Sequence, residues 1–188
     1  MTSRLLSVLT ASISLALFCG TTHAQEGAAV PAISARSQTQ PTASGEANSA
    51  VIVRDAAKPG RSHVVATSAL GGLEVYDLAG KRIGNMPSGE VAAVDVAYGV
   101  PFGDTTATVL ASVDTTTNSL RLFTMDGAKL AEVGARPLPL GFAAEGVCLF
   151  RNPLDNALYA FTVGDGGEVD QQILFATTDG KLDARPVR

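Results

Sequence analysis

With 188 residues, 17% of them charged, and a formal charge of −4, the chain has the length of one ordinary domain. Its mildly acidic balance excludes the basic stripe that nucleic acid or an anionic membrane would select. Two cysteines, Cys19 and Cys148, and no tryptophan exclude a disulfide framework once Cys19 is assigned to a cleaved segment.

The N-terminal MTSRLLSVLTASISLALFCGTTHA has Arg4 near its start, an apolar run from Leu5 to Phe18, and small residues at Thr22 and Ala24. This order predicts a secretory signal peptide over residues 1–24 and a secreted or periplasmic address after cleavage. The run is shorter than the roughly 18–20 residues a membrane span needs, and the bulky Phe18 before Cys19 does not suit a lipid-modified cysteine. Residues 25–47, rich in Ala, Ser, Thr, Gln and Pro and without apolar period, are expected as a flexible leader. The folded domain is expected over residues 48–188.

From Asn48 on, the text is strand-like: SAVIV, HVVATS, LEVYDL, VAAVDVAY, TATVLASV, SLRLFTM, GVCLF, ALYAFTV and QILFATT, separated by Gly, Pro, Asp and Asn. No segment sustains a helical apolar period, so the chain is expected to be all-β. Cys148, inside GVCLF, is expected as a small buried core residue. A strand followed by a Gly-Lys turn recurs in GGLEVYDLAGKRI, NSLRLFTMDGAKL and QQILFATTDGKL, with Gly80, Gly127 and Gly180 spaced 47 and 53 residues apart. Each copy is preceded by another strand, and hairpins at such a period mark propeller blades, small sheets that cover one another's apolar faces. Asp and Gly in the repeated turn accept the positive backbone angles a tight hairpin demands. Propellers close with about four to eight blades, and this chain has text for roughly three. A partial propeller with two uncovered blade faces is therefore expected.

The segment VVATSALGGLEVYDLAGKRIGNMPSGEVAAVDVAYGVPFG resembles the first part of the β-propeller phytases, above all in LEVYDLAGK and VDVAYGVPFG. The likeness continues through TVLASVDTTTNSLRLFTMDG and ALYAFTVGDGGEVDQQIL, so it spans about Asn48 to Arg188. The resemblance implies a six-bladed, calcium-dependent hydrolase of phytate (inositol hexakisphosphate). In that family calcium ions and Lys, Arg and Tyr side chains neutralise phosphates while a metal-bound water attacks phosphorus.

The chain departs from the family pattern where it supplies charge. Ala69 and Leu70 stand where the pattern has two lysines, and Ala97 where it has Arg. Ser112-Val113-Asp114 replaces Ser-Asn-Arg, Glu145 replaces Tyr, and Asp165 replaces Lys. The calcium-supplying Asp-Asp-Pro-Ala becomes Asn48 and Ser49 preceded by Ala47. Each charged hydrogen bond to phosphate is worth roughly 1.5–3 kcal/mol, so these losses predict little phytate hydrolysis by the chain alone.

The remaining metal candidates, for calcium as the resemblance implies, are Asp95, Glu145, Asp165 and Glu168, with Asp170 nearby. Asp95 is equally read as a carboxylate bonding nearby backbone, Asp165 and Glu168 as a solvated hairpin turn, and Glu145 as structural. His63 has no acidic or Ser partner at readable spacing, and Ser68 and Ser112 lack a nucleophile-elbow pattern. Three readings stand: a degenerate or truncated N-terminal phytase module, a fragment of an active calcium-dependent 3-phytase, or a non-enzymatic secreted β-module that assembles through open blade faces. The corresponding partners are phytate or other inositol phosphates, an adjacent phytase domain, or a second copy.

Overall fold

The computed structural model describes residues 32–187. The expected signal peptide and the first residues of the leader lie outside the described residues. Thirteen strands follow in order: β1 Ala50–Val53, β2 His63–Ser68, β3 Gly72–Tyr76, β4 Arg82–Met86, β5 Val91–Phe102, β6 Thr105–Asp114, β7 Ser119–Asp126, β8 Lys129–Glu132, β9 Leu138–Pro139, β10 Ala144–Arg151, β11 Leu158–Gly164, β12 Val169–Ala176 and β13 Leu182–Pro186. The one helical element described is a 3-10 turn, Pro59–Arg61, between β1 and β2.

The strands form three antiparallel meanders, β1-β2-β3-β4, β5-β6-β7-β8 and β10-β11-β12-β13, with the short β9 paired to β7. These are three successive blades of a partial propeller, in the order the repeats imply. The first strands of the blades meet, β1 with β5 and β5 with β10, which places them on the propeller's axial side.

Alternation along the strands explains the stacking. On β6, Leu110 faces blade 1 and, with Phe123 of β7, forms one buried cluster with Val65, Leu73 and Val75 of that blade. Its neighbours Val109, Ala111 and Val113 face blade 3 and pack with Leu158, Ala160, Leu174 and Leu182. Blade 2 is thus apolar on both faces, and each fully buried Leu, Val or Phe contributes about 1.5–3 kcal/mol.

The repeated turns join the third and fourth strand of every blade. Gly80, Gly127 and Gly180 all have positive φ, at 84°, 56° and 75°. In blades 1 and 3 the turns match bond for bond: Asp77 N–H donates to Lys81 O (3.0 Å) as Thr177 N–H does to Lys181 O (2.9 Å).

Two expectations need correction. The outer face of blade 1 is not bare, because the latter half of the expected leader runs across it. Gln40 N–H donates to Gly80 O (2.7 Å), Ala69 N–H to Glu46 O (2.9 Å) and Leu70 N–H to Ser44 O (3.3 Å). Beneath that segment Ala66, Glu74 and Tyr76 are buried. Cys148 is exposed rather than buried: it pairs with Phe161 across β10 and β11 at positions alternating with the buried set, and its thiol lies against Asp95 of β5, where burial and that carboxylate push its pKa up.

Candidate functional site

A cavity of about 320 Å³ opens where the connections at one end of the three blades meet, lined by Asn48, Ala69, Leu70, Glu90, Val91, Ala92, Thr115 and Glu145. Four of these, Asn48, Ala69, Leu70 and Glu145, are positions where the sequence departs from the phytase pattern. They come from separate elements: Asn48 precedes β1, Ala69 and Leu70 form the β2–β3 turn, and Glu145 lies on β10.

Local bonding fixes the walls. The β2–β3 turn is closed by Gly71 N–H to Ser68 O (2.8 Å) and held from outside by Ser44 and Glu46. Asn48 N–H donates to the Thr67 hydroxyl (3.0 Å). Across the cavity, Thr115 N–H donates to Glu90 O (2.9 Å). The charged side chains on the lining are Glu90 and Glu145, both exposed, and among the described residues no Lys, Arg or His lines it. Such a cavity repels a polyphosphate rather than gathering one.

The other departing positions lie elsewhere. Ala97 is buried in the core between blades 2 and 3. Ser112 is buried with no hydrogen-bond partner for its hydroxyl. Asp114, at the end of β6, is 3% exposed. Its carboxylate accepts from Thr117 N–H (3.1 Å) and pairs with Arg121 at 3.6 Å. Arg121 donates in turn to both Glu132 oxygens (2.9 and 2.7 Å) and to Ser88 O (2.8 Å). The bonds to Glu132 raise its already high pKa, overcoming burial, and Asp114 adds to the effect. The acidic replacement at position 114 is thereby paired inside blade 2 with a cation it shares with Glu132.

The four carboxylates singled out for calcium do not come together. Asp95 Oδ2 accepts the Leu149 N–H at 2.7 Å, tying β5 to β10. Asp165 and Glu168 belong to the β11–β12 turn, closed by Gly167 N–H to Gly164 O (3.0 Å) and Gly164 N–H to Glu168 O (3.0 Å). In that turn the Glu168 carboxylate lies so close to Gly164 and Gly166 that a Cβ there would meet it at 2.9 and 2.7 Å. Asp170 accepts from the Gln172 amide (2.8 Å), and Glu145 faces the cavity described above. Among the described residues no three His, Cys, Asp or Glu side chains converge as a metal donor set. Calcium requires about 6–8 oxygen ligands, a demand these side chains as placed do not meet.

Sequence spacing did not reveal one grouping. His63 lines a second cavity, about 240 Å³, together with Arg54 and Arg61 and with Asp55 and Asp126. Arg61 is 3.8 Å from Asp55, and the Arg54 guanidinium lies 5.9 Å from the centre of the Tyr98 ring. The β1–β2 connection folds these residues together at the far end of β1, so His63 shares a cavity with both arginines and aspartates, a grouping its spacing did not show.

Comparison with known proteins agrees with this architecture. A family model described as Phytase matches residues 2–188. The 3-phytase of Bacillus subtilis (strain 168) is 26% identical over 165 residues, covering 83% of this chain and 43% of the relative. The chain thus spans less than half the length of that curated relative.

Proposed function

Because the chain belongs to the phytase family, we propose that it is an exported, catalytically degenerate module of that family, with little phytate hydrolysis of its own. The observation that carries this reading is the cavity where four departing positions meet. Ala69 and Leu70 stand in place of lysines, and Glu90 and Glu145 supply the charge there. Hydroxide attack on a phosphate ester requires cancellation of the substrate's negative charge, by metal ions or fixed cations. Among the described residues, no Lys, Arg or His lines this cavity to supply that cancellation. No step is assigned to calcium, since the candidate carboxylates lie on separate elements and are partly engaged by backbone and side-chain donors.

The test is phosphate release from phytate by the purified chain, with and without calcium, beside the Bacillus relative. The expected result is release at least a hundredfold below the relative's in both conditions. Calcium-dependent turnover comparable to the relative's would overturn the reading.

A second reading, in which further blades complete a catalytic phytase, draws on the chain's coverage of only 43% of its relative. Its test is the same assay on a polypeptide joined to the relative's remaining part, where restored turnover would favour it.

A further inference from the structure

The cavity of about 240 Å³ that holds His63 lies at the opposite end of the blades from the acidic one. It gathers the end of β1, the start of β2 and the β7–β8 turn, whereas the acidic cavity gathers the approach to β1 and the β2–β3 turn. Its β1–β2 wall is an internally bonded loop. Asp55 N–H donates to the Ser62 hydroxyl (3.1 Å), and Asp55 Oδ1 accepts from Ala57 N–H (3.0 Å) and Lys58 N–H (2.8 Å). Those bonds fold the chain into the 3-10 turn and return Arg61 to the cavity that Arg54 lines. Tyr98 steadies Arg54: its hydroxyl accepts from Arg54 N–H (3.1 Å) and donates to Ile52 O (2.6 Å), and the guanidinium stands 5.9 Å from the ring centre.

The donors so placed are uncommitted. Among the described residues the Arg54 guanidinium and the half-buried His63 imidazole have no hydrogen-bond partner. Arg61 has only Asp55, at 3.8 Å, beyond hydrogen-bond reach. Two guanidinium groups and an imidazole N–H around one small cavity are the donor set of a tetrahedral oxyanion, and Thr108 adds a hydroxyl. The volume lies below the roughly 300 Å³ at which pockets for larger ligands begin, so the occupant is small. Asp126, on the β7–β8 turn, brings a carboxylate whose oxygens have no donor among the described residues. Beside that carboxylate a fully deprotonated anion meets like charge, whereas an anion that keeps an O–H can donate it.

We propose that this cavity binds inorganic phosphate as hydrogen phosphate, held by Arg54, Arg61 and His63, with the ligand's own O–H donated to Asp126. The proposal does not depend on the reading of the acidic cavity, with which this one shares no lining residue. Asp126 sets the selectivity. At about pH 8 sulfate carries no proton, and a phosphate monoester, with its second pKa at about 6, has lost its last one. Hydrogen phosphate still has one to give.

The experiment follows the His63 imidazole resonance of the purified full chain by NMR. His23 and His63 are the two histidines, and the signal absent from His63→Gln identifies the second. Phosphate, sulfate and glycerol phosphate are titrated separately from about 0.1 to 100 mM at about pH 8 and constant ionic strength. Phosphate is expected to give a saturable shift with a dissociation constant of roughly 0.1–10 mM, and the other two anions to bind at least about fivefold more weakly. Arg54→Gln and Arg61→Gln, both at exposed positions, should each weaken phosphate binding about tenfold or more. Asp126→Asn should bring sulfate to within about twofold of phosphate, while Arg185→Gln on β13 should change nothing. The absence of a saturable shift, an equal response to all three anions, undiminished binding in both arginine variants, or a phosphate preference that survives Asp126→Asn would each overturn the proposal.

Discussion

Tyr76 and Glu74, on the outer face of β3, are 1% and 3% exposed. The Tyr76 hydroxyl donates to Glu74 Oε2 at 2.6 Å, Arg82 approaches the same oxygen at 3.2 Å, and Ala43 N–H caps Oε1 at 2.7 Å. Burial, reinforced by Glu74, pushes the Tyr76 phenol up to about 12 from 10.0. Burial opposes the Glu74 charge, but the donors from Tyr76, Ala43 and Arg82 outweigh it and hold that carboxyl below 4.5. The two shifts have opposite pH signatures. The Tyr76 contribution is complete below pH 10 and lost as pH rises toward 12, whereas the Glu74 contribution is complete above 4.5 and lost as pH falls through its lower folded value. Denaturant melts of Tyr76→Phe should show a loss of about 1–2 kcal/mol at neutral pH and a flatter alkaline limb than the unmodified chain. An unchanged alkaline limb would contradict the arrangement. The Asp114–Arg121 pair gives a second residue-scale prediction. Arg121→Ala would leave Asp114 buried without its cation, at a cost of about 3–5 kcal/mol, measurable by the same melts. A loss below about 1 kcal/mol would mean that water reaches Asp114.

Among the elements, the repeated turns separate backbone geometry from contact. Gly80 and Gly180 both need positive φ, but a Cβ at Gly80 would fall on the Gln38 carbonyl oxygen, whereas at Gly180 it would meet open space. Gly180→Ala should therefore cost about 1–2 kcal/mol from backbone strain alone. Gly80→Ala should cost more and also release the segment over blade 1, seen as faster proteolysis within residues 38–47. Equal costs would show that the segment does not depend on Gly80. These turns were legible in the sequence, as were nine of the strands, because apolar alternation and Asp-Gly pairs mark buried inner strands and hairpins. The missed strands, β4, β8, β9 and β13, are short or outermost in their blades and carry text such as RIGNM, KLAE and LDARP. A solvated edge needs no apolar run. The leader's docking was hidden for a related reason: much of its attachment is through backbone groups and one buried carboxylate, which composition does not register. Cys148 was misplaced because GVCLF reads as uniformly buried, while alternation exposes every second residue where no described sheet lies over it.

At the scale of the whole molecule, three blades bring distant departures from one family pattern into a single cavity. Their spacing along the chain could not show that Asn48, Ala69, Leu70 and Glu145 are neighbours, nor that Asp114 is paired with Arg121 within blade 2. The departures that bear on substrate charge thus meet at one cavity, where carboxylates face a lining without a cation among the described residues. Restoring the family's side chains there, with Ala69→Lys, Leu70→Lys and Glu145→Tyr combined, should raise phytate affinity by about tenfold per lysine if each contributes roughly 1.4 kcal/mol. The most direct measurement is calorimetric titration of phytate into the unmodified chain and into this triple variant. No saturable binding is expected for the first, and micromolar to millimolar binding for the second. Tight phytate binding by the unmodified chain, or a triple variant that binds no better, would contradict the account.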